Sequence, residues 1–330
     1  MVKALCQKHN RCLVCERKCR IRKGKRGHCR TRVNDQGAIY TLNYDNISSI
    51  SVNPIEKKPF FHFYPGTRAL TVGFWSCNFD CPWCQNYDIT KTEPETHDKT
   101  TPHEFVNLAR ANDCQGISLS FNEPTLFAEW GVEVLRIAHE HKLYNTIVTN
   151  GYMTKPVLQH FIDAGLDAAN VDIKGNAAAV KKYCHVNVKK VWRNCAIMKN
   201  QNVHLEITTL VIPTVNDDLK VLAGIGKRIL DELGDTVPWH LTRYFPAYEF
   251  SAPRTPVSFL EDAHAMAHEL GIPFVYLGNI PGHEYENTFC PDCGALLIKR
   301  SGMDVVQSNI DKTRTCPHCH ADLTNYFNKR

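Results

Sequence analysis

Cys77, Cys81 and Cys84 are the residues of this chain whose type and spacing most directly suggest chemistry. Three thiolates can hold three corners of a 4Fe-4S cube and leave the fourth iron open to a chelating ligand. The alternative is structural zinc, which needs four ligands and usually finds them as two close pairs. The next cysteine, Cys114, lies beyond a helical stretch, so the sequence supplies no fourth ligand nearby. The spacing therefore favours an iron-sulfur cluster with an open iron.

The same three cysteines, with Trp83 just before the last, resemble the signature of the radical S-adenosylmethionine (SAM) superfamily. The resemblance implies that SAM chelates the open iron and is cleaved reductively to a 5′-deoxyadenosyl radical, which abstracts hydrogen from a substrate. It also implies a flavodoxin or ferredoxin as the electron donor. Trp83, beside the cluster loop, is one candidate SAM contact.

A second group of cysteines lies in the segment 1–45, which is basic and poor in apolar residues. A metal would supply the folding energy that so small a core cannot. The number of thiolates does not decide between zinc, the first expectation, and a second iron-sulfur cluster. The four candidate ligands are Cys12, Cys15, Cys19 and Cys29, and Cys6 and His9 are spare candidates that could replace one of them.

The segment 281–330 contains two further pairs of cysteines, and the members of each pair are separated by a dipeptide. Two such pairs joined by a short hairpin-like stretch are typical of a zinc ribbon, whose four thiolates close the coordination sphere. A closed site predicts a structural or partner-binding role. The ligands are Cys290, Cys293, Cys316 and Cys319.

Between these modules, residues 46–280 alternate strand-like and helical patterns. Repeated βα units imply a parallel sheet with helices outside it, so the predicted fold is α/β with a partial (βα)6 barrel of the TIM type. The predicted strands are 69–74, 116–121, 146–149, 169–173, 205–212 and 239–245, with a seventh at 274–277. The predicted helices include 124–141, 155–164, 217–233 and 256–270, with starts marked by Thr101-Pro102 and by Asn216 or Asp217.

Several of these strands alternate polar with apolar residues, although parallel strands buried on both faces are normally apolar throughout. Side chains two residues apart share a face, so we assign the polar set to the barrel lumen. Unpaired polar groups there would be costly, which predicts a polar ligand such as SAM with a substrate. The candidate SAM contacts on these strands and just after them are Asn122, Glu123, Asp172, Lys174, Glu206, Thr208 and His240.

Glu123 and Lys174 end the second and fourth predicted strands. Glu123 could neutralise the ammonium group of SAM, and Lys174 could pair with its carboxylate. The alternatives are a carboxylate at a helix N-terminus for Glu123 and a solvent-exposed turn lysine for Lys174. Their shared position at the carboxyl ends of strands favours the ligand site.

Residues 77–250 resemble the glycyl-radical activating enzymes, notably the pyruvate formate-lyase activating enzyme. The matching motifs are Asn122-Glu123-Pro124, Asp172-Ile173-Lys174 and Thr149-Asn150-Gly151, although Phe121 and Asn122 replace paired glycines and Val148 replaces an aspartate. Over its whole length the chain is more similar to the AmmeMemoRadiSam radical SAM enzymes, through residues 53–66, 239–248 and 278–283 and both cysteine-rich ends. That family implies Memo-like and AMMECR-like proteins as partners, and possible protein substrates.

Charge is unevenly distributed along the chain. Residues 1–32 carry twelve Lys or Arg and one Glu, a net charge of +11, which leaves −6 for the remainder because the whole chain is +5. The basic segment could pack against an acidic face of the same molecule, steer an acidic electron donor or protein substrate, or bind nucleic acid, in decreasing order of expectation.

Cysteines in pairs and trios are typical of metal ligation in a reducing compartment, which predicts a cytoplasmic location. No apolar run is long enough to predict a membrane span, and the first residues do not form a signal-peptide pattern. The rival function is a zinc-dependent module that binds nucleic acid or protein and whose barrel is catalytically idle. An iron-sulfur cluster and SAM cleavage would separate the two functions.

Overall fold

The computed structural model describes residues 1–94, 98–310 and 313–328. Its N-terminal part is built from short strands joined by turns. They form a two-stranded hairpin of β2 and β3 and a three-stranded antiparallel sheet in the order β1-β5-β4. These strands are β1 (Val2–Lys3), β2 (Gln7–Lys8), β3 (Arg11–Cys12), β4 (Arg32–Asp35) and β5 (Ala38–Thr41).

A nine-stranded sheet forms the centre of the molecule. Its strands are β6 (Asn46–Pro54), β7 (Arg68–Phe74), β8 (Asp98–Lys99), β9 (Gly116–Leu119), β10 (Tyr144–Thr149), β11 (Ala168–Asp172), β12 (His204–Val211), β13 (Trp239–Arg243) and β14 (Val275–Gly278). The order is β14-β13-β12-β11-β10-β9-β7-β6-β8, with parallel pairing from β7 to β14. The predicted parallel α/β barrel is confirmed, and the seventh strand is present as β14.

The sheet also has an antiparallel edge that the sequence did not predict. Strand β6 pairs antiparallel with both β7 and β8. Its serines are only half-buried, so it lacks the continuous apolar run that identifies an inner strand. The end of β9 also differs, because Phe121 adopts a left-handed backbone with φ 67° and leaves the strand direction.

Helices follow the strands, as the alternating pattern predicted. They are α1 (Tyr87–Thr90), α2 (Pro102–Ala111), α3 (Ala128–Glu140), α4 (Lys155–Asp163), α5 (Ala177–Ala179), α6 (Lys189–Asn200), α7 (Leu219–Leu233) and α8 (Val257–Glu269). Thr101 and Glu104 form a capping box at the start of α2, as the Thr-Pro pair indicated. Helix α7 is capped by Asp218, one or two residues after the predicted start. A 3₁₀ turn, Pro124–Phe127, precedes α3.

The N-terminal part packs against the loops that follow the carboxyl ends of the parallel strands. Thr154, after β10, donates a hydrogen bond to the carbonyl of Leu13 over 2.7 Å. Arg17 bonds to the carbonyl of Asn78 and forms a 3.1 Å ion pair with Asp80, both in the cluster loop after β7. The cysteines of the N-terminal part therefore lie at the open end of the barrel.

The C-terminal part covers the opposite end. Its strands β15 (Thr288–Phe289), β16 (Leu296–Ser301) and β17 (Asp304–Ser308) form an antiparallel sheet. Phe327 stacks on His62, with ring centroids 4.2 Å apart, and Phe274, just before β14, contacts the same histidine ring. The two cysteine-rich modules therefore occupy opposite ends of the barrel. In the described residues, no helix is both long and apolar enough to cross a membrane.

A buried ion pair joins the N-terminal part to α3. The guanidinium of Arg32 lies 2.8 Å from the carboxylate of Glu129, and their side chains are 2% and 4% exposed. The same carboxylate accepts a hydrogen bond from the backbone of Leu5. Since neither charge reaches water, each depends on the other for compensation.

Replacing one partner of this pair should destabilise the protein strongly. Glu129→Gln removes the counter-charge of Arg32 and should lower the free energy of unfolding by about 3–5 kcal/mol, because a buried charge is left uncompensated. Chemical denaturation under reducing, anaerobic conditions measures the change. Glu140→Gln on the exposed side of α3 is the matched control and should change stability little. Equal stability of the two variants would contradict the assigned role of the pair.

Candidate active site

The loop after β7 brings the three central cysteines together. Burial raises the pKa of the Cys77 thiol, and the nearby Glu123, Cys81 and Cys84 raise it further. The backbone N–H of Phe79 points at the Cys77 sulfur over 3.5 Å. These thiols converge at the carboxyl edge of the sheet, where ligand sites of such barrels lie.

Asn122 fixes the start of this loop. Its amide oxygen accepts a hydrogen bond from the backbone N–H of Phe74, and its amide nitrogen donates to the carbonyls of Trp75 and Ser76. The side chain therefore connects the exit of β9 to the residues just before Cys77. This geometry makes Asn122 a positioning residue for the cluster loop.

Glu123 is buried next to the same loop. One carboxylate oxygen accepts hydrogen bonds from the backbone and hydroxyl of Thr125 and from the hydroxyl of Thr149, and the other accepts from the backbone N–H of Asn150. Burial raises its pKa, although these hydrogen bonds oppose the rise. Glu123 thus caps the 3₁₀ turn, which is the alternative that the sequence left open, while its second oxygen accepts one hydrogen bond from the described residues and has one further acceptor position.

Lys174 lies close to the cluster thiols and is not an exposed turn lysine. Its ammonium contacts Asp172 over 3.0 Å, and its side chain is 18% exposed. Burial lowers the pKa of Lys174, but the Asp172 carboxylate and the thiols of Cys81 and Cys184 outweigh burial and raise it. The site therefore holds a cation beside the cysteines Cys81 and Cys184, suited to an anionic group of a ligand.

Cys184 is a neighbour of the site that the sequence analysis missed. It ends a π-helical turn, Val180–Cys184, and its sulfur lies 3.4 Å from that of Cys81. Lone cysteines carry no spacing signal, so only the fold could place this one. Trp83 is buried against Tyr183 of the same turn and against Phe250, with ring centroids 5.4 and 5.7 Å apart.

Glu206 and His240 lie deeper in the lumen than the thiols, near the amino ends of β12 and β13. The Glu206 carboxylate accepts four hydrogen bonds, from the backbone N–H groups of Phe61 and His62 and from the imidazoles of His204 and His240. Burial raises its pKa, yet the bonds from the two histidines outweigh burial and hold the pKa well below its usual range. All acceptor positions of this carboxylate are filled by the protein.

Several polar residues that the strand pattern assigned to the lumen thus have protein partners, although the buried hydroxyl of Ser118 has none among the described residues. Thr208 donates to the amide oxygen of Asn170 over 2.8 Å, and the Asn170 amide donates to the carbonyl of Pro59. The segment 58–62 enters the barrel from the end that the C-terminal part covers. Its backbone N–H and carbonyl groups are hydrogen-bond partners of the polar side chains on the strands. This inserted segment was not predicted, since nothing local in its sequence specifies it.

Lys58, on the inserted segment, is a second missed residue. It is 3% exposed, and its ammonium lies 4.2 Å from the ring centroid of Phe121. Burial, and then the neighbouring charge of Lys57, lower the pKa of Lys58 to about 7. No carboxylate of the described residues forms an ion pair with it; nearby Glu56 instead bonds to Gly66 and faces Arg300.

The C-terminal cysteines fit a single metal ion. The sulfur of Cys290 lies 3.7 Å from that of Cys319, and the sulfur of Cys293 lies 3.7 Å from that of Cys316. Zinc, with Zn–S bonds of about 2.3 Å in a tetrahedron, places thiolates roughly 3.8 Å apart. In the part of the chain that the structure describes, these four are the one group whose ligand atoms all lie within 4.8 Å of one another. The sulfurs of the central trio, all on described residues, do not form such a close group.

Comparisons with known proteins agree with this geometry. The profile of the radical SAM superfamily matches residues 76–223. An uncharacterized protein of Methanocaldococcus jannaschii, MJ0808, is 40% identical over 313 residues, which cover 94% of this chain and 93% of that protein. The matched profile begins just before Cys77 and spans the strands that carry Glu123 and Lys174.

Solved structures share the fold. A radical SAM methyltransferase from Sphaerobacter thermophilus has a TM-score of 0.50 at 18% identity, covering 69% of this chain and 70% of that chain. SuiB from Streptococcus suis, with SAM bound, has a TM-score of 0.52 at 11% identity, covering 68% of this chain and 55% of that chain. The chain therefore belongs to the family of the M. jannaschii protein, and its residues 76–223, which carry Cys77, Cys81 and Cys84, form a radical SAM domain.

Proposed function

We propose that the protein is an enzyme that binds a 4Fe-4S cluster through Cys77, Cys81 and Cys84 and cleaves SAM reductively. The observation that supports this most is that the three thiols lie near one another at the carboxyl edge of the sheet, with the cation of Lys174 beside Cys81. When bound, the cluster would supply the electron that breaks the sulfonium bond, and the 5′-deoxyadenosyl radical would abstract hydrogen from the substrate.

The residues of the chain would orient SAM and exclude water. Lys174, held by Asp172, would take the carboxylate of SAM, and the free acceptor position of Glu123 would take its ammonium. Trp83 and Thr208 are proposed to line the site. Asn122 would position the loop. A cofactor contact by Glu206 or His240 stays a prediction that their protein partners do not favour.

The substrate is proposed to carry an anionic group that reaches Lys58. A buried ammonium without a counter-charge is costly, and an incoming carboxylate or phosphate would compensate it. Lys174 influences the thiols of Cys81 and Cys184 electrostatically, whereas the ammonium of Lys58 lies against the ring of Phe121, at the exit of β9. Lys58 therefore belongs to the substrate part of the lumen and Lys174 to the SAM part.

The electron donor, the cellular location, the partner proteins and the C-terminal metal are also proposed from the sequence motifs. A flavodoxin or ferredoxin would donate the electron, and the protein would act in the cytoplasm. Membership of the AmmeMemoRadiSam group would bring in Memo-like or AMMECR-like proteins as partners, with a glycyl-radical-activating type of reaction as one possibility for a protein substrate. Zinc at the four C-terminal thiolates would stabilise the ribbon that closes the barrel floor.

Loss of any thiolate of the trio should abolish the chemistry. Cys77→Ala, Cys81→Ala or Cys84→Ala should remove the cluster and end 5′-deoxyadenosine formation, because each thiolate holds a separate iron. Iron analysis and chromatography of the nucleoside products after anaerobic reduction measure both effects. Cys184→Ala is the matched control and should keep the iron, since it touches Cys81 without belonging to the trio. An alanine variant of the trio that still cleaves SAM would contradict the assignment and leave the idle binding module as the better function.

Neutralising Lys174 should weaken SAM binding and spare the cluster. Lys174→Met should cost about 1.5–3 kcal/mol, or roughly 10- to 100-fold in Kd, the value of a charge-assisted hydrogen bond. Glu123→Gln should act in the same direction and keep the cap of the 3₁₀ turn. Calorimetric titration of SAM into the reconstituted protein measures the change, with exposed Lys181→Met as the control. Unchanged SAM affinity in both site variants would contradict the proposed position of the SAM site.

Lys58→Met should reduce the consumption of substrate without affecting the cluster or the cleavage of SAM. Iron content and SAM cleavage in the absence of substrate should stay within about twofold, whereas consumption of an anionic substrate should fall by about tenfold or more, as expected for loss of one buried charge contact. Mass spectrometry of acids and phosphate esters consumed in a cell extract during anaerobic turnover provides the measurement. Lys57→Met, its exposed neighbour, is the control. Consumption of a neutral substrate by the wild-type enzyme would contradict the proposed role of Lys58.

A further inference from the structure

The four N-terminal cysteines converge on one place. The backbone N–H of Cys12 bonds to the carbonyl of Cys19 over 2.9 Å, and Cys15 begins the turn that leads to Cys19. The loop that carries Cys29 packs on Ile21, just beyond Cys19. Burial raises the pKa of Cys15, and the thiols of Cys29, Cys12 and Cys19 raise it further, as expected for near neighbours. The module therefore presents a four-thiol site.

The spacing of this site differs from that of the C-terminal ribbon. No three of its sulfurs lie within 4.8 Å of one another, a statement that covers all four cysteines because each is among the described residues. Four thiolates around a single zinc ion must approach one another to roughly 3.8 Å. Thiolates on the separate irons of a cube lie further apart. Neither the N-terminal group nor the trio contains three sulfurs within 4.8 Å of one another, whereas the ribbon does.

A buried donor lies near two of the same thiols. Arg32 is 1% exposed, and its two terminal nitrogens donate to Glu129 and to the carbonyl of Leu126. Its Nε–H has no partner among the described residues. Burial lowers the pKa of Arg32, but Glu129 and then the thiols of Cys12 and Cys29 outweigh burial and raise it. A cluster with sulfur acceptors would satisfy this unpaired N–H.

The site also borders the trio. The hydroxyl of Ser76 donates to the carbonyl of Cys29 over 2.5 Å, and Ser76 immediately precedes Cys77. Arg17, two residues after Cys15, donates to the carbonyl of Asn78 in the trio loop. One hydrogen bond and one peptide unit therefore connect a ligand of the N-terminal site to a ligand of the trio.

From these observations we infer that Cys12, Cys15, Cys19 and Cys29 hold a second 4Fe-4S cluster, not zinc, and that it passes electrons to the cluster of the trio. A donor would reduce the N-terminal cluster by one electron, and that electron would move on to the trio cluster with no bond made or broken. Arg22, Lys23 and Lys25 lie exposed beside this site and would attract an acidic donor. The relay rests on the proposed SAM cleavage, whereas the identity of the cluster does not.

Metal and sulfide analysis of the full chain, purified anaerobically, tests the identity of the cluster. We expect about eight iron atoms and about one zinc per chain, as two cubes and one ribbon require. A variant with Cys77, Cys81 and Cys84 all changed to Ser should keep about four irons and a reducible cluster signal in electron paramagnetic resonance. Cys290→Ser in the wild-type background should remove the zinc alone. About four irons and two zinc ions in the wild type, or no iron in the triple variant with its ribbon zinc retained, would overturn the inference.

The relay has its own test. Arg22→Gln, Lys23→Gln and Lys25→Gln together should slow SAM cleavage by at least about tenfold with a reduced ferredoxin at low salt, because steering by exposed charges is lost. Cleavage driven by dithionite should change less than about twofold, since a small reductant needs no docking surface. Equal effects with both reductants would overturn the relay. If the wild-type protein does not cleave SAM with dithionite, the proposed function is overturned. The identity of the N-terminal cluster, which rests on the metal analysis, is not affected by that result.

Discussion

Polar groups enclosed in the barrel must find partners, and this requirement shapes the rest of the structure. Glu206 is fully buried at the lower level of the lumen, where an unpaired carboxylate would be very costly. Two histidines and two backbone N–H groups of the inserted segment fill its acceptor positions. Because the protein satisfies this level by itself, the ligand-binding level is restricted to the carboxyl ends of the strands.

The inserted segment links the two ends of the molecule. Below, His62 stacks on Phe327 and bonds to Tyr276, which fastens the C-terminal ribbon to the barrel floor. Above, Lys58 extends toward Phe121, at the exit of β9. The ribbon thus supports the site from a distance, since a displaced segment would withdraw the partners of Glu206 and the position of Lys58 together.

At the open end of the barrel, side-chain hydrogen bonds fix the position of the cluster loop. Asn122 holds the residues that precede Cys77, and Glu123 holds the turn at Asn150, whose amide bonds to Asn78 in the cluster loop. The side chains of Asn122 and Glu123, in the motif Asn122-Glu123-Pro124, therefore hold the cluster loop in position even without a ligand. The N-terminal part covers the same loops, so its four thiols come to lie beside the trio.

The sequence by itself determined the parallel α/β barrel, including β14, and the superfamily to which the trio belongs, because cysteine spacing and strand periodicity are local properties. It also separated the three cysteine groups. Only the tertiary structure decided which partners complete the lumen: residues 61 and 62 reach Glu206 from 145 and 144 positions away. The same holds for Cys184, which meets Cys81 across 103 residues, and for Lys58, which no periodicity distinguishes. Contacts between distant segments depend on how the whole core packs, and no local pattern specifies them.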